Sequence, residues 1–102
     1  MKIKNQIDLE EVIRYPEKLK DITDVGTRFF ITTAMADNYK DKKIKFDKLM
    51  EVSGVLDKIG APELCAYLWR LSSGLNKQFM KEFINAKGQS EELIKKYGKY
   101  LG

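Results

Sequence analysis

Histidine does not occur in this chain of 102 residues. Its absence removes the commonest general base, the usual nucleophile–histidine pairs and most zinc sites. A single cysteine, Cys65, cannot form an internal disulfide, so the fold does not depend on an oxidising compartment. The glycines at 26, 54, 60, 74, 88, 98 and 102 compose neither GxGxxG nor GxxxxGK[ST], and no phosphate-cradling loop is visible. No apolar run approaches the ~18 residues of a membrane span. The opening MKIKNQIDLEE lacks the apolar core of a signal peptide. The expected location is therefore cytoplasmic, with no membrane association. Arginine is scarce as well: of 19 basic residues only Arg14, Arg28 and Arg70 carry guanidinium groups, the ones suited to bidentate reading of phosphate or guanine.

What is present is a globular balance, 43% hydrophobic and 33% charged, in a length that allows one small domain spanning 1–102. The net charge of +4 and pI near 9.1 suit nucleic acid or an acidic protein but require neither.

Helical signals dominate. Asp8 with Glu11 has capping-box spacing, and Ile7 can staple onto Val12, so a helix begins near Leu9. Pro16 stops it at Tyr15 and opens a short turn through Leu19 and Ile22. In TDVGTRFFITTAMADNY, a helix aligns Val25, Phe29, Thr32, Ala36 and Tyr39 on one stripe with Met35 beside it. A strand would instead alternate Phe29, Ile31, Thr33 and Met35. Phe46, Leu49, Val52, Ser53, Leu56 and Ile59 share the face of a further helix that ends at Gly60, a left-handed cap. Pro62 opens PELCAYLWRLSS, apolar enough to belong at the centre. Ser73 and Gly74 interrupt this segment, after which Leu75, Phe79, Phe83 and Ala86 form a stripe closed by Gly88. Ser90 caps a last helix with apolar face Leu93, Ile94, Tyr97 and Leu101, i,i+4 pairs Glu91–Lys95 and Glu92–Lys96, and a final turn weakened by Gly98. The expected fold is all-α, a compact bundle of about five to six short helices. The alternative is an α+β domain with a small antiparallel sheet from residues 1–7, 28–35 and 42–46.

The chemistry on offer is thin. Cys65, between Leu64 and Ala66, reads as a core thiol. Asp37 and Asp41 stand at i,i+4 spacing near Asn38, but DNYKDKKIKFDK lacks the glycine and closing glutamate of a calcium loop. The expectation is no catalytic residue, no cofactor and no metal: not an enzyme. EVSGVLDKIGAPELCAYLWRL admits a helix-turn-helix with its turn at Ser53, Gly54 and Val55, yet the helix after Gly60 is too apolar to face bases.

Two readings remain. YKDKKIKFDK concentrates Lys40, Lys42, Lys43, Lys45 and Lys48, an electropositive patch for nucleic acid or an acidic partner if it is more than a solvated connection. Tyr39 and Phe46 fall on apolar stripes and are expected in the core, which denies that patch a stacking platform. Tyr15, Phe30, Met50, Val55, Met80 and Tyr100 lie off or at the edge of the core stripes and are the candidate protein interface. The short, histidine-free, lysine-rich chain resembles in general type the small regulators and inhibitors carried by phages and other mobile elements. The resemblance rests on no motif. It implies a small protein-interaction module that docks on a protein partner or on itself, with a nucleic-acid-binding accessory protein as the rival.

Overall fold

The computed structural model describes residues 9–75 and 77–101, apart from the side chains of residues 75, 89, 100 and 101. The capping pair at Asp8, the staple from Ile7 and the strand expected at 1–7 lie outside the described residues. Helix α1 covers 9–14, and Pro16–Asp21 form a 3-10 helix that buries Pro16 and Leu19. Then follow α2 (Val25–Lys40), α3 (Phe46–Lys58), α4 (Pro62–Leu75), α5 (Gln78–Ile84), α6 (Gln89–Tyr97) and a 3-10 turn, Gly98–Leu101. The fold is all-α. Residues 28–35 are helical and 42–45 are turn, so the alternative sheet does not form among the described residues.

Helix α2 overrides its own strand-favouring composition for two physical reasons. Asp24, three residues before Thr27, accepts from the Thr27 N–H and from its hydroxyl, both at 2.8 Å, and so caps the start. The polar side chains that compete with a helix are also satisfied within it: the Thr32 and Thr33 hydroxyls donate to the carbonyls four residues back, as does the Asn38 amide. The helix then buries Ile31, Thr32, Met35, Ala36 and Tyr39. The expected stripe holds at Thr32, Ala36 and Tyr39 and fails at Val25 and Phe29, which are 77% and 49% exposed. Val25 is the first residue of the helix, before the covered part of the stripe begins, and Phe29 lies on the flank away from Ile31 and Met35. Arg28, in the first turn of α2, reaches back to the Ile22 carbonyl at 2.5 Å and the Leu19 carbonyl at 3.5 Å. One of the three arginines is thus spent on closing the end of the 3-10 helix.

Helix α4 is central, as its composition requires. Cys65, Leu68, Trp69 and Ser72 have no solvent exposure. It continues through Ser73 and Gly74 to Leu75, so the expected interruption falls later. Likewise α3 runs unbroken through Gly54, and no helix-turn-helix turn exists at 53–55. The last helix begins at Gln89 with Gly88 at its cap position, φ 69°, in place of the expected Ser90 cap.

Trp69 ties the elements together. Its indole N–H donates to Ser53 Oγ at 2.8 Å, and the Ser53 hydroxyl donates to the Leu49 carbonyl at 2.8 Å. Around the indole stand Phe79 and Phe83 of α5 and Tyr97 of α6, at ring-centroid distances of 5.6 to 6.5 Å. Phe79 in turn meets Tyr39 of α2 and Phe46 of α3. The aromatic chain therefore joins α2 through α6.

Helices α2 and α3 end in the same way. After α3, the Ala61 N–H donates to the Leu56 carbonyl and the Gly60 N–H to Asp57, with Gly60 at φ 79° and Ala61 buried. After α2, the Lys43 N–H donates to Asn38 and the Lys42 N–H to Tyr39, with Lys42 at φ 63°. Both are Schellman caps, but the second holds a lysine where only glycine is free of strain. Lys42→Gly should raise stability by about 1 kcal/mol and Gly60→Ala lower it by about as much. Urea unfolding of the two variants beside the native protein checks both signs.

Candidate functional site

Lys40, Lys42, Lys43 and Lys45 are exposed on the α2–α3 turn, and Lys48 is half-buried with its ammonium 3.3 Å from Glu51. The turn is anchored from within: Ile44 between the lysines is buried, as are Tyr39 and Phe46 on either side. The expectation that both aromatics belong to the core is met. Because Tyr39 and Phe46 both meet Phe79, and the Tyr39 hydroxyl donates to Glu82 at 2.9 Å, α5 packs beside the turn. Lys81 of α5 and Lys77, at the cap position before it, are exposed. The Tyr39 hydroxyl is held protonated by burial first and by Glu82 second. It is a structural donor.

The six residues expected to form a protein interface differ in exposure. Tyr15, Phe30 and Met80 are exposed, but on α1's end, on α2 and on α5. Met50 and Val55 are corrections, at 4% and 3% exposure: the core face of α3 is wider than a strict stripe, because the 3-10 helix and α6 also lie against it. Tyr100's side chain lies outside the described part of the structure.

Sequence reasoning missed the aromatic seam between α2 and α4. Phe29 stacks on Tyr67 with centroids 4.9 Å apart and planes at 20°, and Thr33 Oγ1 lies 3.3 Å from the Tyr67 hydroxyl. The far side of Tyr67 opens on a cleft of about 420 Å³ lined with Pro62, Glu63, Ala66 and Arg70, all from the outer face of α4. Phe29 had been placed in the core stripe because its spacing fits. The signal that could have found it is α2's surplus of apolar positions, more than one helix face can bury.

A second concavity, about 620 Å³, runs between α3, the 3-10 helix and α6. Gly54 and the half-buried Leu93 open on its floor above the buried Met50 and Val55, and its rim carries Glu17, Asp47, Glu51, Asp57 and Glu92 against Lys58. In a chain of net charge +4 this is a local reversal of sign. Some of these acids have partners: Glu17 with Lys20 and Lys58, Glu51 with Lys48, and Asp57 with Lys96 at 2.8 Å. Asp57 also accepts from the Tyr97 hydroxyl. Lys96 first and Tyr97 second hold its carboxyl below the ordinary carboxylate value.

The chain has no match among protein families, curated proteins or solved structures.

For chemistry the described residues offer little. Burial pushes the Cys65 thiol up to about 12, against a smaller opposing hydrogen bond from Ser53, so it is a protonated core thiol and a poor nucleophile. No group of three or more His, Cys, Asp or Glu side chains poised to hold a metal ion occurs among the described residues. No described helix is long and apolar enough to cross a membrane. The Asp57 pairing makes a pH prediction. Its carboxyl is harder to protonate in the folded protein than in the unfolded chain, so it contributes stability that is complete above the ordinary carboxylate range and is lost as pH falls through its lower folded value. Asp57→Asn should be less stable than the native protein at neutral pH, and the gap should close below about pH 4. Urea unfolding across that range measures it.

Proposed function

We propose that this protein is a small non-enzymatic interaction module, a regulator or inhibitor of a protein partner, and that it docks through the α2–α4 seam. The observation that carries the reading is the Phe29–Tyr67 stack: two aromatic rings already ordered against each other, with Phe29 half exposed and Val25 one turn earlier almost free. A pre-ordered aromatic pair loses little conformational entropy on binding and offers the residue types that dominate interface energies. Beside it the Tyr67 cleft supplies a recess, and Glu63 and Arg70 are polar groups at its edge that can fix orientation. A chain without disulfides and with a buried free thiol suits the cytoplasm as the place of action.

The rival reading, nucleic-acid binding, is supported by the four exposed lysines of the α2–α3 turn. It is weakened by the burial of Tyr39 and Phe46, which leaves no base-stacking platform there. It is weakened again by the core position of α4, which keeps the helix after Gly60 from entering a groove.

The two readings separate in one experiment. Tagged protein is used to capture partners from its host's lysate after nuclease treatment, alongside Phe29→Ser and the triple variant Lys42→Glu/Lys43→Glu/Lys45→Glu. A specific protein should be retained by the native chain and the triple variant. Phe29→Ser should lose it, with affinity at least about tenfold weaker and helicity unchanged. Retention that disappears with nuclease or with the triple variant would transfer the function to the lysines.

A further inference from the structure

Helix α5 is apolar on both of its sides. Its inner side carries Phe79, fully buried, and Phe83, packed against the core. Its outer side, by helical spacing, aligns Met80, Lys81 and Ile84, with Lys77 at the cap position before them. Ile84 is 76% exposed and Met80, one turn before it, is exposed as well. An amphipathic helix with its apolar stripe already buried has no need of a second one facing water, still less one with a lysine beside each apolar residue.

The groove between α3 and α6 has the inverse character, an apolar floor within an acidic rim. Asp47 and Glu92 on that rim have no ion pair among the described residues, while Glu51 pairs with the half-buried Lys48. Gly54 sits on the floor in mid-helix, where glycine costs about 1 kcal/mol relative to alanine. Packing does not require it: a Cβ added there would meet only Leu93 Cδ1, at 3.9 Å, an ordinary contact. What the missing side chain does is leave the floor of the groove open.

We infer that the outer face of α5 docks in the α3–α6 groove of a second copy of this chain, Met80 and Ile84 on the apolar floor and Lys77 and Lys81 against Asp47, Glu51 and Glu92. The two surfaces share no residue, so each molecule offers one of each and the contact is head-to-tail. Repeated, it builds chains or rings, and where both surfaces of two copies engage each other at once it closes as a twofold dimer. One seven-residue helix in one groove is well below the area of a tight complex, so the association is weak, appearing at about 0.1 mM protein and above, and salt reduces it. The inference concerns surfaces other than the α2–α4 seam and stands independently of it.

Sedimentation velocity of the native chain over a concentration series, at low and high salt, is the test, together with two variants. Ile84→Asp places a like charge against the acidic rim and, being so exposed, leaves the fold intact. Gly54→Leu fills the groove, and thermal unfolding and circular dichroism establish that it is folded. Asp47→Asn/Glu92→Gln, which removes charge without adding volume, stands in if it is not. The native chain should show a mass that rises with concentration and falls with salt. Each variant alone should associate at least tenfold more weakly. An equimolar mixture of an Ile84→Asp and a groove variant should form a one-to-one dimer and nothing larger, because only one intact groove and one intact α5 face then remain per pair. A native chain that stays monomeric throughout the series overturns the inference. So does association that either variant leaves unchanged, or a mixture that fails to pair.

Discussion

Trp69 is the largest side chain that this fold removes from water entirely, and its indole N–H is a polar group that must be matched wherever the ring is buried. Ser53 supplies the match, with its own hydroxyl proton directed to the Leu49 carbonyl so that nothing in the chain of donors is left over. That bond fixes α3 against α4 at one distance and register. Phe79, Phe83 and Tyr97 then pack around the fixed ring, and each brings its own helix with it. A short chain whose α5 is only seven residues long cannot rely on helix propensity to hold such an element in place. It relies on Phe79, which touches aromatic rings from α2, α3 and α4 at once.

The same arrangement sorts the charges. Burying Tyr39, Ile44 and Phe46 along one strip leaves the intervening lysines no direction but outward, so the α2–α3 turn becomes a basic end. On α3, the positions turned away from α4 include Asp47, Glu51 and Asp57, which face the 3-10 helix and α6. A net charge of +4 is thus the sum of a basic end and an acidic groove. Neither of them is visible in the sum, and it is the local fields that a partner meets.

Particular elements show how far the sequence could be read. Gly60 was legible as a left-handed cap because a glycine after an amphipathic stripe has one common use, and the buried position of α4 followed from its lack of charge. Lys42 was not legible as the equivalent cap of α2: a lysine carries no mark of a left-handed backbone, and only the paired hydrogen bonds from Lys42 and Lys43 identify it. Phe29 was misplaced because periodicity defines a face about 100° wide without saying which edge a neighbour will cover. Met50 and Val55 were misplaced in the opposite sense, since α3 is covered from more sides than one stripe allows. The Phe29–Tyr67 seam, the acidic groove and the bare outer side of α5 each join residues from separated segments, or depend on what fails to cover them.

Local chemistry settled what could be settled by neighbours in sequence: helix stops at Pro16 and Gly60, a central apolar helix, and the absence of histidine; helix or strand at 28–35 was left to the fold. The tertiary structure alone decided which apolar residues remain in water and where the charges gather. Those outcomes depend on contacts between residues such as Ser53 and Trp69, or Asp57 and Lys96, that are far apart along the chain. Spacing within one helix holds no information about the surface another helix will present to it.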